Sequence, residues 1–148
     1  MKKTDAQKYL AKVRRKPAKN EHCLQSAIVK WCNGIGTGIV RDRFAAIPNG
    51  GTRGATEKDR MIAGARMKAE GVRPGMPDMV FWSGYPWNDG TSKVSPRIVW
   101  LEVKNGTSGK VSESQEIVHK SLRENGHEIA VVRDLAEAVQ AITNFYRS

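Results

Sequence analysis

The chain has little cysteine, no long hydrophobic run and fewer acidic than basic residues. Its two cysteines, Cys23 and Cys32, are too few for a disulfide framework, and their spacing matches no zinc motif. No apolar run approaches the roughly 18 residues needed to cross a bilayer, and no apolar segment follows the lysine-rich start as it does in a signal peptide. We therefore expect a cytoplasmic protein without a membrane partner, in which both thiols are reduced and packed on a helix.

The shortage of acidic residues is concentrated at the N-terminus. Asp and Glu number 15 against 25 Lys and Arg, which gives a formal net charge of +10, and residues 1–20 hold eight of the basic residues with a single acid. Such a segment attracts polyanions without reading sequence, chiefly through counterion release. We predict a flexible basic arm over residues 1–20, in which Lys12, Arg14 and Arg15 contact DNA. A solvated tail that aids solubility is the alternative.

Hydrophobic periodicity divides the rest of the chain into the elements of one α/β domain over residues 21–148. Helical spacing of apolar residues predicts helices, and short apolar runs bounded by turn residues predict strands. The predicted helices are 21–32, 56–70, 112–125 and 135–146, and the predicted strands are 44–47, 78–82, 97–103 and 129–132. This order predicts a mixed central sheet flanked by helices.

Local patterns sharpen this outline at three places. The middle of the strand over 97–103 is apolar without interruption, so we expect this strand to be central in the sheet. The glycine-rich segment 34–38 has no strand before it, which favours a loop over a nucleotide-binding turn. The helix over 56–70 is predicted to be capped by Thr56 and to turn an apolar face inward. The residues of that face are Ile62, Ala63, Ala65 and Met67.

Two polar clusters lie at neighbouring strand ends. Pro77-Asp78 closes a turn rich in Gly and Pro, and Glu102-Val103-Lys104 follows at the end of an apolar run. Residues i and i+2 of a strand point to the same face, so Glu102 and Lys104 are predicted to project together. Phosphodiester hydrolysis needs two hard carboxylates to hold a divalent cation and a positive group to help activate water. The clusters therefore predict a metal-dependent nuclease site.

Four segments match a known group of nucleases in their order and spacing. They are Pro48-Asn49-Gly50-Gly51, Gly71-Val72-Arg73-Pro74-Gly75-Met76-Pro77-Asp78, Trp100-Leu101-Glu102-Val103-Lys104 and Ser112-Glu113-Ser114-Gln115. Through these segments the chain resembles the VRR-NUC domains of the PD-(D/E)XK nuclease superfamily. Glu21 also matches an acidic position on the first helix of that family. The resemblance covers about residues 21–147, and the basic arm lies outside it.

The resemblance implies a restriction-endonuclease-like α/β fold and divalent-metal-dependent hydrolysis of DNA phosphodiesters. It implies that Asp78 and Glu102 coordinate Mg²⁺ or Mn²⁺, with the Val103 carbonyl as a third ligand. Lys104 would hold or polarise the attacking water and offset the charge that develops on the phosphate.

Further roles concern residues outside the two strand ends. By the resemblance, Gln115 would orient Lys104 or the attacking water, and Glu21 would complete the carboxylate cluster through a water or a second metal. Arg53, Arg73 and Lys110 are candidate contacts to the DNA phosphate backbone, and such contacts position DNA without specifying its sequence. Ordinary surface charge is the alternative for these basic residues.

The substrate and the assembly follow from the resemblance alone. Stand-alone members of the family are similar to homodimeric endonucleases that act on branched DNA such as four-way (Holliday) junctions. We therefore expect a homodimer acting on branched DNA in a bacterial or phage-infected cell, with an accessory protein such as a helicase as a further partner. The alternatives are a general nuclease or nickase of phage or bacterial DNA metabolism, and a non-catalytic DNA-binding module.

Ordinary structural interpretations exist for each candidate residue. Glu102 with Lys104 matches an exposed ion pair, Asp78 matches the end of a turn, and Gln115 matches a helix start. His119 lies four residues after Gln115 on the same helical face and is expected to be packed or solvated, with approach to the site as the alternative. The hydrolytic interpretation fails only if several of these ordinary roles coincide.

Overall fold

The computed structural model describes residues 19–49, 56–83, 97–106 and 108–147, so almost all of the predicted arm lies outside the described residues. The helices are α1 (Glu21–Cys32), α2 (Thr37–Val40), α3 (Glu57–Ala69), α4 (Glu113–Glu124) and α5 (Leu135–Arg147). The strands are β1 (Phe44–Ala46), β2 (Met79–Ser83), β3 (Arg97–Val103) and β4 (Glu128–Val132). Within these ranges, no helix combines the length and the apolar character needed to cross a membrane.

The four strands form one mixed sheet in the order β1-β2-β3-β4. Both β1 with β2 and β2 with β3 are antiparallel, whereas β3 and β4 are parallel. A parallel pair needs a crossover connection, which α4 provides between β3 and β4. The predicted α/β class with a mixed sheet and flanking helices is confirmed, as is the interior position predicted for β3.

The hydrophobic core lies between one face of the sheet and helices α1 and α5. Strand residues reach this face at two-residue spacing, and the helices supply apolar side chains at spacings of three and four. The buried core residues are Leu24, Ile28, Trp31, Cys32, Val40, Met79, Phe81, Val99, Leu101, Val103, Val132, Leu135, Ala138, Val139, Ile142 and Phe145. Glu102 belongs to the opposite face, where side chains of α4 contact it.

The segment predicted as a loop over residues 34–38 contains the start of α2. Gly36 is the N-cap of this single helical turn, and a Cβ built on it would lie 2.8 Å from the Trp31 ring. The glycine is therefore required by the close approach of the backbone to Trp31. Periodicity does not reveal α2, because four residues are too few to show a helical pattern.

The inward-facing surface predicted for the helix over 56–70 is wrong. Helix α3 buries none of its side chains, and Ile62 is 58% exposed. Local interactions stabilise the helix instead, because Thr56 and Asp59 form a reciprocal capping box and Arg66 pairs with Glu70 at 2.9 Å. The capping role predicted for Thr56 is confirmed. The residues wrongly expected to form a core-facing surface are Ile62, Ala63, Ala65 and Met67.

The two thiols point in opposite directions from α1. Their separation along the helix corresponds to about 2.5 turns, so Cys23 and Cys32 lie on opposite sides. Cys32 is in the core, where burial raises the pKa of its thiol to about 12, whereas Cys23 is exposed. Both cysteines are free. The prediction of a helix-packed thiol is therefore confirmed for Cys32 and wrong for Cys23.

We predict that Gly75→Ala destabilises the protein more than Gly71→Ala does. Both glycines have positive φ, +88° for Gly75 and +90° for Gly71, so alanine is strained at either position. A Cβ at Gly75 would also lie 2.3 Å from the carbonyl oxygen of Ser114, whereas nothing lies within 4 Å of one at Gly71. We expect a loss of about 1–2 kcal/mol for Gly71→Ala from backbone strain, and about 2–4 kcal/mol for Gly75→Ala, where overpacking adds to the strain. Urea unfolding measures both values, and equal losses would contradict the close packing of this turn against α4.

Candidate functional site

The end of β3 brings a carboxylate and an ammonium group together on one face of the sheet. Glu102 and Lys104 are two residues apart, and the Lys104 Nζ atom lies 2.8 Å from Glu102 Oε1. Glu102 is fully buried and Lys104 is 7% exposed. The predicted projection to a common face is confirmed, but the interpretation of these residues as an exposed ion pair is wrong.

Asp78 stands immediately before β2, the antiparallel neighbour of β3. Because Met79 pairs with Leu101, continuing the register by one step places Asp78 opposite Glu102. The Val103 backbone N–H donates to Asp78 Oδ2 at 2.7 Å, and the Asn49 side-chain amide donates to Asp78 Oδ1 at 3.0 Å. The sheet register therefore places Asp78 beside the Glu102–Lys104 pair, and the two hydrogen bonds fix the orientation of its carboxylate.

Helix α4 contributes two residues that contact the buried carboxylate. Gln115 and His119 are four residues apart and therefore lie on the same helical face. Gln115 Nε2 donates to Glu102 Oε1 at 2.5 Å, and His119 Nε2 lies 3.3 Å from Glu102 Oε2. Gln115 Oε1 also accepts from the backbone N–H of Ser112, as part of the capping box that begins the helix. Gln115 thus contacts Glu102, whereas the resemblance implied that it orients Lys104 or a water.

Glu21 lies at the edge of this group. It is exposed in the first turn of α1, and its Oε1 atom accepts a hydrogen bond from the Asn105 backbone N–H at 3.3 Å. Its negative charge is close enough to raise the pKa of Glu102. Glu21 therefore joins the site through its electrostatic potential and its contact to the segment after β3.

Burial shifts the pKa values of Glu102 and His119 in opposite directions. Desolvation raises the pKa of the Glu102 carboxyl, the hydrogen bond from Lys104 lowers it, and the negative charge of Asp78 raises it. Desolvation also lowers the pKa of His119, and the positive charges of Arg123 and Lys104 lower it further. His119 is therefore neutral at neutral pH. Because an ionised carboxylate can only accept hydrogen bonds, the contact to Glu102 places the ring proton of His119 on Nε2.

The carboxylates provide the type of ligand that magnesium and manganese prefer. Asp78 and Glu102 supply hard oxygen atoms, and an oxygen that accepts one hydrogen bond retains a lone pair for a cation. Among the residues described, no group of three His, Cys, Asp or Glu side chains is arranged to hold an ion on its own. Mg²⁺ usually keeps several waters and binds through one or two carboxylates together with substrate phosphates. The donor set is chemically compatible with such a partly hydrated ion.

No protein-family model, curated protein or solved structure matches this chain. The resemblance to VRR-NUC domains therefore depends on the four sequence segments described above and on Glu21.

The basic residues proposed for DNA binding fall into two groups. Arg73 and Lys110 are exposed, Arg73 in the turn before β2 and Lys110 in the segment before α4. Arg73 precedes Asp78 by five residues, and Lys110 precedes Gln115 by five residues. Lys12, Arg14, Arg15 and Arg53 lie outside the described residues, so their positions relative to the site stay a prediction.

Two residues at the site were not assigned to it from the sequence. Asn49 falls in the turn segment that matches the VRR-NUC pattern, and it donates to Asp78. His119 was expected to be packed or solvated, and it is packed against Glu102 with 2% of its surface exposed. The available signal for His119 was its four-residue spacing from Gln115, which predicts a shared helical face but not the partner of that face.

We predict that Lys104→Met destabilises the metal-free protein and that adding Glu102→Gln restores much of the loss. Removing Lys104 leaves a buried carboxylate without its opposite charge, which costs about 3–5 kcal/mol. In the double variant no charge is left unpaired, and the neutral His119 ring can accept from the Gln amide in its other tautomer. Urea unfolding in the presence of a chelator measures both losses. A double variant no more stable than Lys104→Met would contradict the proposed cause.

The same pair predicts how this loss varies with pH. Lys104 lowers the pKa of Glu102, so its removal raises the folded-state pKa further above the ordinary value of 4.5. A group with a raised folded-state pKa favours folding at low pH, and this contribution is lost as pH rises through that pKa. The extra loss in Lys104→Met should therefore be small at about pH 4 and grow toward about pH 8. A loss independent of pH would indicate missing packing instead of an unpaired charge.

Proposed function

We propose that this chain is a divalent-metal-dependent DNA endonuclease with a restriction-endonuclease-like fold of the PD-(D/E)XK type. The observation that carries the proposal is the meeting of Asp78, Glu102 and Lys104 at adjoining strand ends, with Glu102 buried and in contact with Gln115. A fully buried carboxylate paired with a nearly buried lysine differs from an ordinary surface ion pair, because desolvating both charges costs free energy. Groups with strongly perturbed pKa values, such as Glu102, cluster at functional sites.

In the proposed reaction, water attacks a phosphodiester phosphorus and the bond to the 3′ oxygen breaks. Asp78, Glu102 and the Val103 carbonyl would hold Mg²⁺ or Mn²⁺, which when bound lowers the pKa of a water and offsets phosphate charge. Hydrogen bonds from Asn49 and from the Val103 N–H keep the Asp78 carboxylate in one orientation. The attacking water loses its proton to solvent and the 3′ oxygen gains one, leaving a 5′-phosphate and a 3′-hydroxyl.

Lys104 has a separate task in the proposed reaction. Its ammonium group would polarise the attacking water and offset negative charge that develops on the phosphate. Its contact to Glu102 Oε1 holds the ammonium group at the site before substrate binds. Glu102 is in β3 and Lys104 directly follows the strand, so the i, i+2 spacing of extended backbone aligns the carboxylate with the cation.

DNA is the proposed substrate because the positive charge of the chain attracts a polyanion. The formal net charge is +10, most of it in residues 1–20, and Arg73 and Lys110 add exposed positive charge among the described residues. Lys12, Arg14, Arg15 and Arg53 are proposed to add phosphate contacts. Specificity for branched DNA depends on the resemblance and is the part of the proposal that a substrate panel decides.

We predict cleavage of a four-way junction by the purified protein with Mg²⁺ and none with chelator. The panel contains an end-labelled four-way junction, a flap and a linear duplex of equal length. Paired, symmetric cuts confined to the junction are expected for a dimeric junction resolvase. Equal cutting of all three would make the protein a general nuclease. Binding without cutting in Mg²⁺ or Mn²⁺ would make it a non-catalytic DNA-binding module.

The controls separate chemistry from folding. Asp78→Asn should bind the junction but cut it at least 100-fold more slowly, on the scale of losing one electrostatic group from an active site. The double variant Glu102→Gln with Lys104→Met should likewise be inactive even though it regains stability. Asp42→Asn removes an exposed carboxylate outside the site and should cut at the wild-type rate. Normal cutting by Asp78→Asn would remove Asp78 from the reaction.

The proposed homodimer has a candidate contact on helix α3. Met61 is 71% exposed and Ile62 is 58% exposed, and the helix buries none of its side chains. Acidic residues occupy its first turn and basic residues, including Arg66, its last turn. An antiparallel pairing with the same helix of a second copy would bring opposite charges together at both ends and bury Met61 and Ile62 at the centre.

We predict that the protein sediments as a dimer and that Ile62→Glu converts it to a monomer. A carboxylate at the centre of the contact would have to be buried without a partner, which disfavours association. Ile117→Glu is the matched control, because Ile117 is a comparably exposed isoleucine, at 65%, on α4. Sedimentation of all three proteins decides the matter. A monomeric wild type would refute the dimer, and a dimer disrupted only by Ile117→Glu would place the contact on α4.

A further inference from the structure

Apart from the indole nitrogens of Trp31 and Trp100, the buried polar and charged side chains of the described residues form a single cluster. The polar or charged side chains that are buried are Glu102, Lys104 and His119, and all three meet at the Glu102 carboxylate. The proposed reaction gives roles to Glu102 and Lys104 but none to His119. A histidine that is 2% exposed and in contact with a carboxylate therefore needs its own explanation.

The partners of Glu102 are divided between its two oxygen atoms. Lys104 Nζ and Gln115 Nε2 both contact Oε1, at 2.8 Å and 2.5 Å. His119 Nε2 contacts Oε2 at 3.3 Å. Contacts at one oxygen leave the carboxylate free to rotate about its last bond, because that torsion is broad. A donor at the second oxygen defines the plane of the group.

A neutral donor is suited to this position. Lys104 already balances the charge of Glu102, and a second cation beside it would cancel the attraction of the carboxylate for a metal. The buried His119 imidazole reaches Glu102 at Oε2, on the other oxygen from Lys104 and Gln115.

We propose that His119 is a positioning residue that fixes the Glu102 carboxylate through Oε2 and thereby presents the carboxylate to a divalent cation. The metal-dependent part of this inference rests on the proposed function, whereas the hydrogen bond does not. His119 acts from α4, so it ties the orientation of a β3 side chain to the packing of that helix on the sheet. It does not touch the reacting atoms and takes no part in proton transfer.

The test compares His119→Gln with His119→Leu. A glutamine Nε2 can occupy the place of the histidine Nε2 and donate to Oε2, whereas leucine fills similar space without a donor. Mn²⁺ binding is measured without DNA by electron paramagnetic resonance, and thermal unfolding is measured alongside. We expect His119→Leu to weaken Mn²⁺ binding by roughly 10–100-fold, the usual effect of losing a hydrogen bond to a metal ligand. His119→Gln should bind Mn²⁺ within a few-fold of wild type.

Equal weakening of Mn²⁺ binding in both variants, or unchanged Mn²⁺ binding in both, would overturn the proposal, because a packing role does not distinguish a donor from a methyl group of similar size.

The tautomer of His119 in the metal-free wild type provides a second test that needs neither variant to fold. Long-range proton–nitrogen NMR correlations should show the Nε2–H form, and the Nδ1–H form would overturn the contact itself. Wild type with the Nε2–H form but no Mn²⁺ binding would refute the proposed function and the cation-presenting role together. The hydrogen bond to Glu102 would then stand as a structural contact.

Discussion

The burial of the Glu102 carboxylate is the constraint on which the arrangement of this site depends. Removing an ionised carboxylate from water costs several kcal/mol even after the surroundings relax, so the fold must supply donors at close range. It does so through Lys104, directly after β3, and from α4 through Gln115 and His119. None of these donors alone satisfies both oxygens. The carboxylate can remain buried only while β3 and α4 are packed together, which links the chemistry of the site to the tertiary structure.

The sheet topology explains how these elements meet. Parallel pairing of β3 with β4 requires a crossover, and α4 is the helix of that crossover, beginning at Glu113 after a short segment that follows the end of β3 at Val103. Antiparallel pairing of β2 with β3 brings the start of β2, with Asp78, beside the end of β3. Gly75 lets the turn before Asp78 pack against the first turn of α4. The turn before Asp78, the end of β3 and the first turn of α4 therefore meet at the candidate site.

The sequence predicted most of what depends on local periodicity and less of what depends on packing between elements. Two-residue spacing was enough to place Glu102 and Lys104 on one face, and cap residues at Thr56 and Ser112 were enough to locate two helix starts. Burial was harder to predict. Ile62 is apolar and helical but exposed, since no periodicity within a helix states whether another element covers it.

The contact between His119 and Glu102 is a second example of packing that the sequence did not predict, in this case for a polar residue. Helical spacing grouped His119 with Gln115, but the group they face lies on another element. Only the position of α4 on the sheet identifies that group as Glu102. Asn49 is similar, because its partner Asp78 is 29 residues away along the chain. Polar contacts between distant elements carry little sequence signal, and these contacts are what define the candidate site.

The charge of the chain and the charge of the site have opposite signs, and both are needed by the proposed reaction. Over the whole chain the basic residues are in excess, which favours the approach of a polyanion from a distance. Within the site, Asp78 and Glu102 face one lysine and a neutral histidine, so the local balance is negative and favours a cation. A phosphate backbone drawn in by the distant field would meet that negative site unfavourably on its own. In the proposed reaction a divalent cation held by the carboxylates would remove the conflict, and a neutral His119 would leave the negative charge that such a cation needs.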